Sequence, residues 1–425
     1  MQSHVVLRMA DIMKAVGIVA EYNPLHNGHV YHISRSRELS GADAVVVAMS
    51  GDYVQRGEPA ILDKWTRTAH ALSCGTDLVV EIPVLHCLGN AGQYASAAVR
   101  ILESTGVVSH ISFGSECGDT AVLAAIAKVL RDKEGKLAES ISSLRSRGLS
   151  YPAAREAAYA ELRGRMLDAD PAADPEILRE TRILSSPNDI LSLEYIQAMR
   201  AAEPVAVRRE GAGYGDPYDD KNVYQSASAL RTQVMSGHDI SRYVPECSST
   251  DLTEQHITGP DTDGWWNTLR YSLMSQDEAQ LEDCPSGGEG LANLLKDAVN
   301  APDAVSWSSF IRKIKSRRYT YTRLSRLCMQ SVLGITRSRY AGLEPGYIRV
   351  LGFNDTGRQL LAGMKNEEIS SLPVITNINK EEGMLSEEAK RLLALDVHAA
   401  DIYNLLTGRD VYACSDHRHM PVILH

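Results

Sequence analysis

The sequence lacks several features that place a chain in a class at a glance. No apolar run reaches the roughly 18 residues that a membrane-spanning helix needs, so no membrane partner is expected. The seven cysteines, at 74, 87, 117, 247, 284, 328 and 414, are odd in number and scattered. That argues against a disulfide framework and for a reducing, cytoplasmic setting. The opening MQSHVVLRMADIMK is too short and too interrupted by charge for a secretory signal. Positive charge is in deficit, with a formal net charge of -10. This argues against general affinity for polyanions but leaves room for a local basic site. No internal repeat is evident, and nothing in the sequence fixes an oligomeric state.

What is present is an ordinary globular composition, 44% hydrophobic and 23% charged, over 425 residues. That length suits two domains better than one core. The first 115 residues alternate between short apolar runs and helical stretches. Strands are predicted at 15–20, 42–50, 77–83 and 107–116, with helices at about 28–39, 63–75 and 91–105. Such alternation indicates a parallel sheet covered on both faces. Residues 120–200 read as helical, and EPVAVRRE (203–210) reads as a fifth strand returning to the sheet. The fold class is therefore α/β: a doubly wound, Rossmann-like parallel sheet with a helical insertion at about 120–200. A mainly helical domain is expected from 236 to 425. Within it, YIRVLGFN and LPVITNINK read as short strands or extended loops.

Sheets of this kind bind ligands at the carboxyl ends of their strands, where the strand order reverses. The loops following the first and fourth strands carry NPLHNGH and FGSE. Neither is a G-x-G-x-x-G fingerprint, so a dinucleotide oxidoreductase has little support. Gly28 permits close backbone approach, and the helix starting beside it offers free N–H groups and a positive dipole end to phosphate. His26 and His29, three apart, point the same way from a first helical turn. Paired imidazoles there suit the charge that builds on an α-phosphate during nucleotidyl transfer. The competing readings are a metal pair, or a helix cap bearing surface histidines.

H-x-G-H after a first strand resembles the signature of the nucleotidyltransferase superfamily. The longer text MKAVGIVAEYNPLHNGHVYHI (13–33) followed by MSGDYVQRGEPAILDKWTR (49–67) resembles the tRNA(Met) cytidine acetate ligase family. The likeness runs on through DLVVEIP, ISFGSE, SSPNDILSLEYIQAM and GYIRVLGFNDTGRQLL. It starts at Met13, so residues 1–12 read as an extension or a mis-assigned start, with the catalytic domain at 13–235. The resemblance implies an ATP-dependent ligase that makes acetyl-adenylate from ATP and acetate and releases pyrophosphate. The acetyl group then passes to N4 of the wobble cytidine of elongator tRNA(Met). Carried over by motif, the ATP site comprises Gly17, Ile18, Val19, Ala20, Glu21, Tyr22, Asn23, Pro24, Leu25, His26, Asn27, Gly28, His29, Val30, Tyr31 and His32. Gly114, Asn188, Arg208 and Arg209 complete it, with His26 and His29 as the catalytic pair at the phosphates. Mg²⁺ is expected to arrive with the ATP, held by phosphate oxygens and water.

The local chemistry of these residues leaves alternatives open. Gly114 is also read as a simple turn glycine and Asn188 as a helix cap. Arg208 and Arg209 alternate on a strand, so one is expected to face the site, and Arg209 is favoured. QSASALR (225–231) occupies the place of a mobile Ser-rich loop that closes over the β- and γ-phosphates through Ser226, Ser228 and Arg231. An ordinary capped helix is the competing reading. Arg56 and Glu58 in RGEP either orient substrate or pair with each other. The chain also departs from the family pattern. Leu25 replaces Phe, Asp189 and Ser192 replace Asn and Gly, Gly215 replaces the His of Tyr-His-Asp, and Gln225 and Leu230 replace Ile.

RNA binding has its own signal in RKIKSRRYTYTRLSR (312–326), which holds seven basic residues and no acidic one. Lys313, Lys315, Arg317, Arg318, Arg323 and Arg326 can meet phosphates, and Tyr319 and Tyr321 can stack on an unpaired base. A salt-bridged helix face competes, and Ile311, Ile314, Leu324 and Leu327 form its buried stripe on either reading. Cys414, Asp416, His417 and His419 lack the second half of a zinc site, so no metal ligand is assigned. Two further functions stay open: an adenylyltransferase for a small phosphorylated metabolite, and a non-catalytic RNA-binding nucleotide sensor.

Overall fold

Among the described residues, eight strands form one sheet, in the order β10 (Val422–Ile423), β8 (Ile348–Phe353), β5 (Leu78–Ile82), β2 (Ala44–Ser50), β1 (Ala15–Ala20), β6 (Val108–Ser115), β7 (Glu203–Arg208), with β9 (Val374–Ile375) paired to β8. The computed structural model describes residues 13–132, 134–149, 153–161, 183, 186–210, 222–254, 257–316, 318–366 and 369–425. The central strand is β1 (Ala15–Ala20), parallel to β2 (Ala44–Ser50) on one side and to β6 (Val108–Ser115) on the other. Beyond them lie β5 (Leu78–Ile82) and β7 (Glu203–Arg208), also parallel. The chain moves outward through β2 and β5 and then returns across β1 to β6. The strand order therefore reverses between β1 and β6.

Alternation along the strands divides the core into two layers. Val16, Ile18, Val45, Val47 and Val79 pack with Leu25 and Ile33 of α1 (Asn27–Ser40) and its approach, and with Leu72 of α2 (Lys64–Ser73). Ala15, Val46, Ala48, Leu78 and Val80 face the opposite layer, built on α4 (Ala91–Ser104), α5 (Thr120–Asp132) and α7 (Pro187–Ala198). Successive strand residues point to opposite faces, so sheets covered on both sides read as continuous apolar runs. α3 (Val84–Cys87) and α6 (Glu134–Ser146) also belong to this half.

The sheet does not end where the first 235 residues do. β8 (Ile348–Phe353) pairs antiparallel with β5, and β9 (Val374–Ile375) and β10 (Val422–Ile423) pair with β8. YIRVLGFN is thus a strand that satisfies the open backbone edge of β5. The stretch 236–425 is helical in its middle and gives its later strands to the large sheet. Its helical core gathers α10 (Asp263–Ser275), α11 (Leu291–Val299), α12 (Trp307–Ile314), α13 (Tyr321–Val332) and α15 (Glu387–Leu406) around the buried Trp265, Trp307 and Phe310. α8 (Ala227–Met235) and α9 (Glu246–Glu254) bridge the two halves, and α14 (Asp355–Asn366) follows β8.

The hairpin β3 (Tyr53–Val54) and β4 (Glu58–Pro59) ties the helical core to the sheet. Tyr53 donates its hydroxyl to the carbonyl of Ala399, and Tyr403 donates back to that of Ala60, both at 2.9 Å. At the hairpin turn, Gly57 has φ +82°, and a Cβ there would lie 2.3 Å from the backbone nitrogen of Arg326. Only glycine fits that conformation and that contact.

Candidate active site

A cavity of about 330 Å³ opens at the strand-order reversal, between the ends of β1 and β6. β1 runs into Glu21 and then Tyr22, whose φ of +47° turns the chain sharply. A non-glycine residue in that region is uncommon and carries strain. Tyr22 is 1% exposed, and its ring meets that of His29 edge-on at 5.1 Å. The turn delivers His26 to the N-cap of α1.

The two histidines form a reciprocal cap. His26 accepts the N–H of Gly28 through Nδ1 at 3.1 Å, and His29 accepts the N–H of His26 through Nδ1 at 3.2 Å. Their rings stack with centroids 3.7 Å apart. A neutral imidazole that accepts at Nδ1 carries its proton on Nε2. Burial, helped by Arg209 and then Arg231, holds His26 down at about 3. Burial, then His26, His32 and Arg209, holds His29 well below its ordinary value. Both rings are thus neutral at pH 7, with an Nε2–H donor each. The cap and the phosphate readings are compatible, because capping consumes only the other nitrogen. His32 is pushed to about 4, first by burial and then by Arg209, and meets the hydroxyl of Ser112 at 3.2 Å.

The opposite wall comes from the β6 loop and α7. Gly114 lies under the side chain of Arg209, where an added Cβ would be 3.5 Å from Cγ. β7 ends at Arg208, so strand alternation does not govern Arg209, and both arginines line the cavity. Arg209 acts on all three histidines. Asn188 faces the cavity and donates its amide to Glu116 at 2.5 Å. The N-cap of α7 is Ser186, not Asn188. The extra carboxylate, Asp189, turns away. It accepts the hydroxyl of Ser115 and the N–H groups of Glu116, at 3.0 Å, and Cys117. It thereby holds the FGSE loop and does not line the cavity. Ser192 is buried beneath, donating to the carbonyl of Asn188 at 2.8 Å.

The third wall is α8. Ser226 caps it, as an ordinary helix start would require, yet Ser226, Ser228 and Arg231 all line the cavity. Arg231 donates to the carbonyl of Asn23 at 2.8 Å. Arg56 donates to the Ser228 hydroxyl at 3.0 Å and lies 4.0 Å from Glu58. Arg56 thus lines the cavity and also stands within ion-pair reach of Glu58. Gln225 bonds the carbonyl of Asn222 at 2.6 Å, and Leu230 is fully buried beneath the helix. Gly215 lies outside the described residues.

The chain is similar to known proteins along nearly its whole length. The family described as HIGH Nucleotidyl Transferase matches residues 13–417. The tRNA(Met) cytidine acetate ligase of Acetivibrio thermocellus is 34% identical, with 92% of this chain and 94% of that protein covered. Its counterpart from Listeria monocytogenes serotype 4b is 37% identical, covering 97% and 100%. Among solved structures, Thermotoga maritima TmcAL bound with alpha-thio ATP is similar, at a TM-score of 0.84 and 28% identity, covering 97% of this chain and 100% of that one. The chain belongs to the tRNA(Met) cytidine acetate ligase family.

Not every residue expected in this ligase's ATP site reaches the cavity. Val19, Ala20, Glu21, Tyr22, Asn23, His26, Gly28, His29, Tyr31 and His32 line it. Gly17, Ile18, Pro24, Leu25, Asn27 and Val30 do not. Gly17 makes room for α4, since a Cβ would lie 2.9 Å from Leu102. Ile18 and Leu25 are core, and Asn27 bonds the carbonyl of Arg242 at 3.0 Å. Sequence reading missed Tyr94, Phe113, Leu191, Tyr195 and Tyr224. Leu191 and Tyr195 follow Asn188 at i+3 and i+7 on one face of α7, a spacing that pointed to them.

The basic segment differs from the expected stacking platform. The stripe Ile311, Ile314, Leu324 and Leu327 is buried as read. Tyr319, however, is 8% exposed, donates to the carbonyl of Glu289 at 2.8 Å, and lies under the guanidinium groups of Arg318 and Arg323. Tyr321 donates to Glu58 at 2.8 Å. Both rings are held by the protein, Tyr321 by Glu58 and Tyr319 where the chain breaks between α12 and α13 and folds back on Glu289. That carboxylate pairs with Arg323 at 3.0 Å and Arg318 at 3.5 Å, while Lys313 pairs with Asp303 at 2.9 Å. Lys315 is exposed, and Arg326 reaches the carbonyl of Gln55 at 3.3 Å, beside the cavity. Arg317 lies outside the described residues.

The C-terminal cluster has other partners. Asp416 is buried and bonds Lys64 and Arg349, both at 2.7 Å, and these also hold Glu81 at 2.8 and 2.9 Å. His419 stacks on Trp65 at 3.8 Å, and His417 meets Asn379 at 2.9 Å. Among the described residues, no helix is long and apolar enough to cross a membrane.

Proposed function

We propose that this chain is an ATP-dependent tRNA-modifying ligase that acetylates N4 of the wobble cytidine of elongator tRNA(Met). The observation that carries the reading is the paired Nε2–H donors of His26 and His29 at the start of α1, facing Arg209 and Arg231 across the cavity. In the first step a carboxylate oxygen of acetate attacks the α-phosphorus of ATP. The bond to the bridging oxygen breaks, and pyrophosphate leaves with its electron pair. The neutral imidazole donors, the helix N-terminus and the arginines stabilise the charge that builds on the phosphate oxygens. In the second step the N4 amine attacks the acetyl carbonyl, AMP departs, and the amine proton is released. An acyl-adenylate is already activated, so this step needs no dedicated nucleophile on the protein.

No carboxylate nest for a divalent ion stands in the cavity among the described residues, since Glu21 is turned to the N–H of Gln55 at 2.9 Å. Mg²⁺ fits this site as a companion of the phosphates, held by their oxygens and water. Asp189, the carboxylate that the sequence put near the triphosphate, faces the FGSE loop instead.

The test is pyrophosphate release from ATP with and without acetate, in the absence of tRNA. Release that requires acetate supports the adenylate step. Release that is indifferent to acetate but needs a phosphorylated metabolite would move the assignment to an adenylyltransferase.

A further inference from the structure

Away from the cavity, α2 and α9 pack against each other. α2 carries His70 and, at its C-cap, Cys74, one turn further on. α9 carries Cys247 and Asp251, again one turn apart. His70 meets Asp251 at 2.6 Å. Antiparallel packing that pairs 70 with 251 brings 74 opposite 247, and each thiol shifts the ionisation of the other. Both cysteines are half-exposed, whereas Cys87, Cys284 and Cys328 are buried.

We propose that Cys74 and Cys247 form a redox-reversible disulfide that clamps α9 to α2. The oxidant is a peroxide. The Cys247 thiolate attacks one peroxide oxygen, breaking the O–O bond and giving a sulfenic acid and hydroxide, which takes up the proton that the Cys247 thiol gave up and becomes water. The Cys74 sulfur then attacks the sulfenic sulfur, the S–O bond breaks, and a second water leaves with the Cys74 proton. Two thiols are oxidised and one peroxide is reduced to two waters. The hydrogen bond from Cys74, with His70 nearby, holds the Cys247 thiol down at about 6, which favours it as the attacking partner.

The clamp has a route to the cavity. Leu252 of α9 shares an apolar cluster with Leu230 of α8, together with Ile61, Leu62, Ile240 and Tyr243. The first turn of α8 presents Ser226, Ser228 and Arg231 to the cavity. Fixing α9 on α2 fixes the platform on which α8 rests, and so slows the movement of α8 that admits ATP and releases pyrophosphate. This second half rests on the function proposed above.

The test treats the full-length protein with hydrogen peroxide, blocks the remaining thiols, and maps peptides by mass spectrometry without reduction. A Cys74–Cys247 cross-linked peptide that dithiothreitol removes, and that neither Cys74→Ser nor Cys247→Ser yields, is the expected result. Absence of that peptide from oxidised wild type overturns the proposal. The cross-linked protein should release pyrophosphate several-fold more slowly than the reduced protein, while Cys247→Ser keeps its rate under the same oxidant. A complete cross-link with an unchanged rate overturns the coupling to α8. Failure of the reduced protein to release pyrophosphate with acetate would instead count against the functional reading.

Discussion

The ring of His29 lies 3.7 Å from that of His26, and its Nδ1 accepts the His26 backbone N–H. One pair of side chains thus starts a helix and, with its remaining nitrogens, furnishes two hydrogen-bond donors to the cavity. Stability and catalysis can be separated at these positions by substitutions that keep the cap.

Asn is as good an N-cap as any residue, and Gln at the third helical position completes a capping box. His26→Asn and His29→Gln are therefore expected to fold with stability close to that of the parent. Each should lose about 10²- to 10³-fold in acetate-dependent pyrophosphate release, the usual cost of deleting one preorganised donor. His29→Ala should lose the same rate and also about 1 kcal/mol of stability by urea unfolding. Retention of rate in His29→Gln would contradict the assigned role.

Acid should unfold the protein partly through these rings. His26 titrates at about 3 in the folded state, and an unfolded histidine titrates near 6.5. Between those values the unfolded chain binds the extra proton. This contribution is therefore complete above about pH 6.5 and is lost as the pH falls toward 3. Between pH 7 and pH 5 the wild type should lose about 2 kcal/mol more than His26→Asn. Equal losses in urea melts at the two pH values would show that His26 is not held neutral.

The buried charges around Asp416 give a third expectation. Asp416→Asn leaves Lys64 and Arg349 sharing Glu81 and the more distant Asp52, with too little negative charge for two buried cations. Breaking one partner of such a network costs about 3–5 kcal/mol. Thermal unfolding should show it. A shift no larger than that of an exposed substitution would mean that water reaches the cluster.

Much of this was legible in the sequence and some was not. Strand β1 falls at 15–20 as its apolar run predicted, because a strand buried on both faces is written in consecutive residues. The H-x-G-H turn was legible for a similar reason: cap, glycine and imidazoles are neighbours in sequence. β8 was ambiguous, since a strand that completes another strand's edge carries no local mark of its partner. Asp189 looked like a hazard to a triphosphate. Its true partners, Ser115 and the Glu116 N–H, are more than seventy residues away in sequence. The internal pairing of the basic segment was hidden for the same reason: Glu289, which gathers Arg318 and Arg323 over Tyr319, lies outside the run.

The two arginines at the end of β7, Arg208 and Arg209, should not be equivalent. Arg209→Ala is expected to raise the KM for ATP at least tenfold, because its guanidinium acts on all three histidines. Arg208→Ala should change it less, since the Arg208 side chain packs over Gly118, whose added Cβ would lie 2.6 Å from its Cβ. Steady-state kinetics decides, and the reverse order would contradict the geometry.

For tRNA, Lys315→Ala should weaken binding and reduce the salt slope by about one. Tyr319→Phe removes a hydroxyl that bonds the carbonyl of Glu289, so it should cost stability rather than RNA affinity. Filter binding across a salt series, with melts alongside, separates the two. A loss of RNA affinity in Tyr319→Phe without a stability change would restore the stacking role.

The most direct measurement incubates the protein with ATP, radiolabelled acetate and total tRNA, then digests the tRNA to nucleosides. Label is predicted in N4-acetylcytidine alone, dependent on ATP and abolished in His29→Gln. Label in any other nucleoside, or in acetylcytidine made without ATP, would contradict the account.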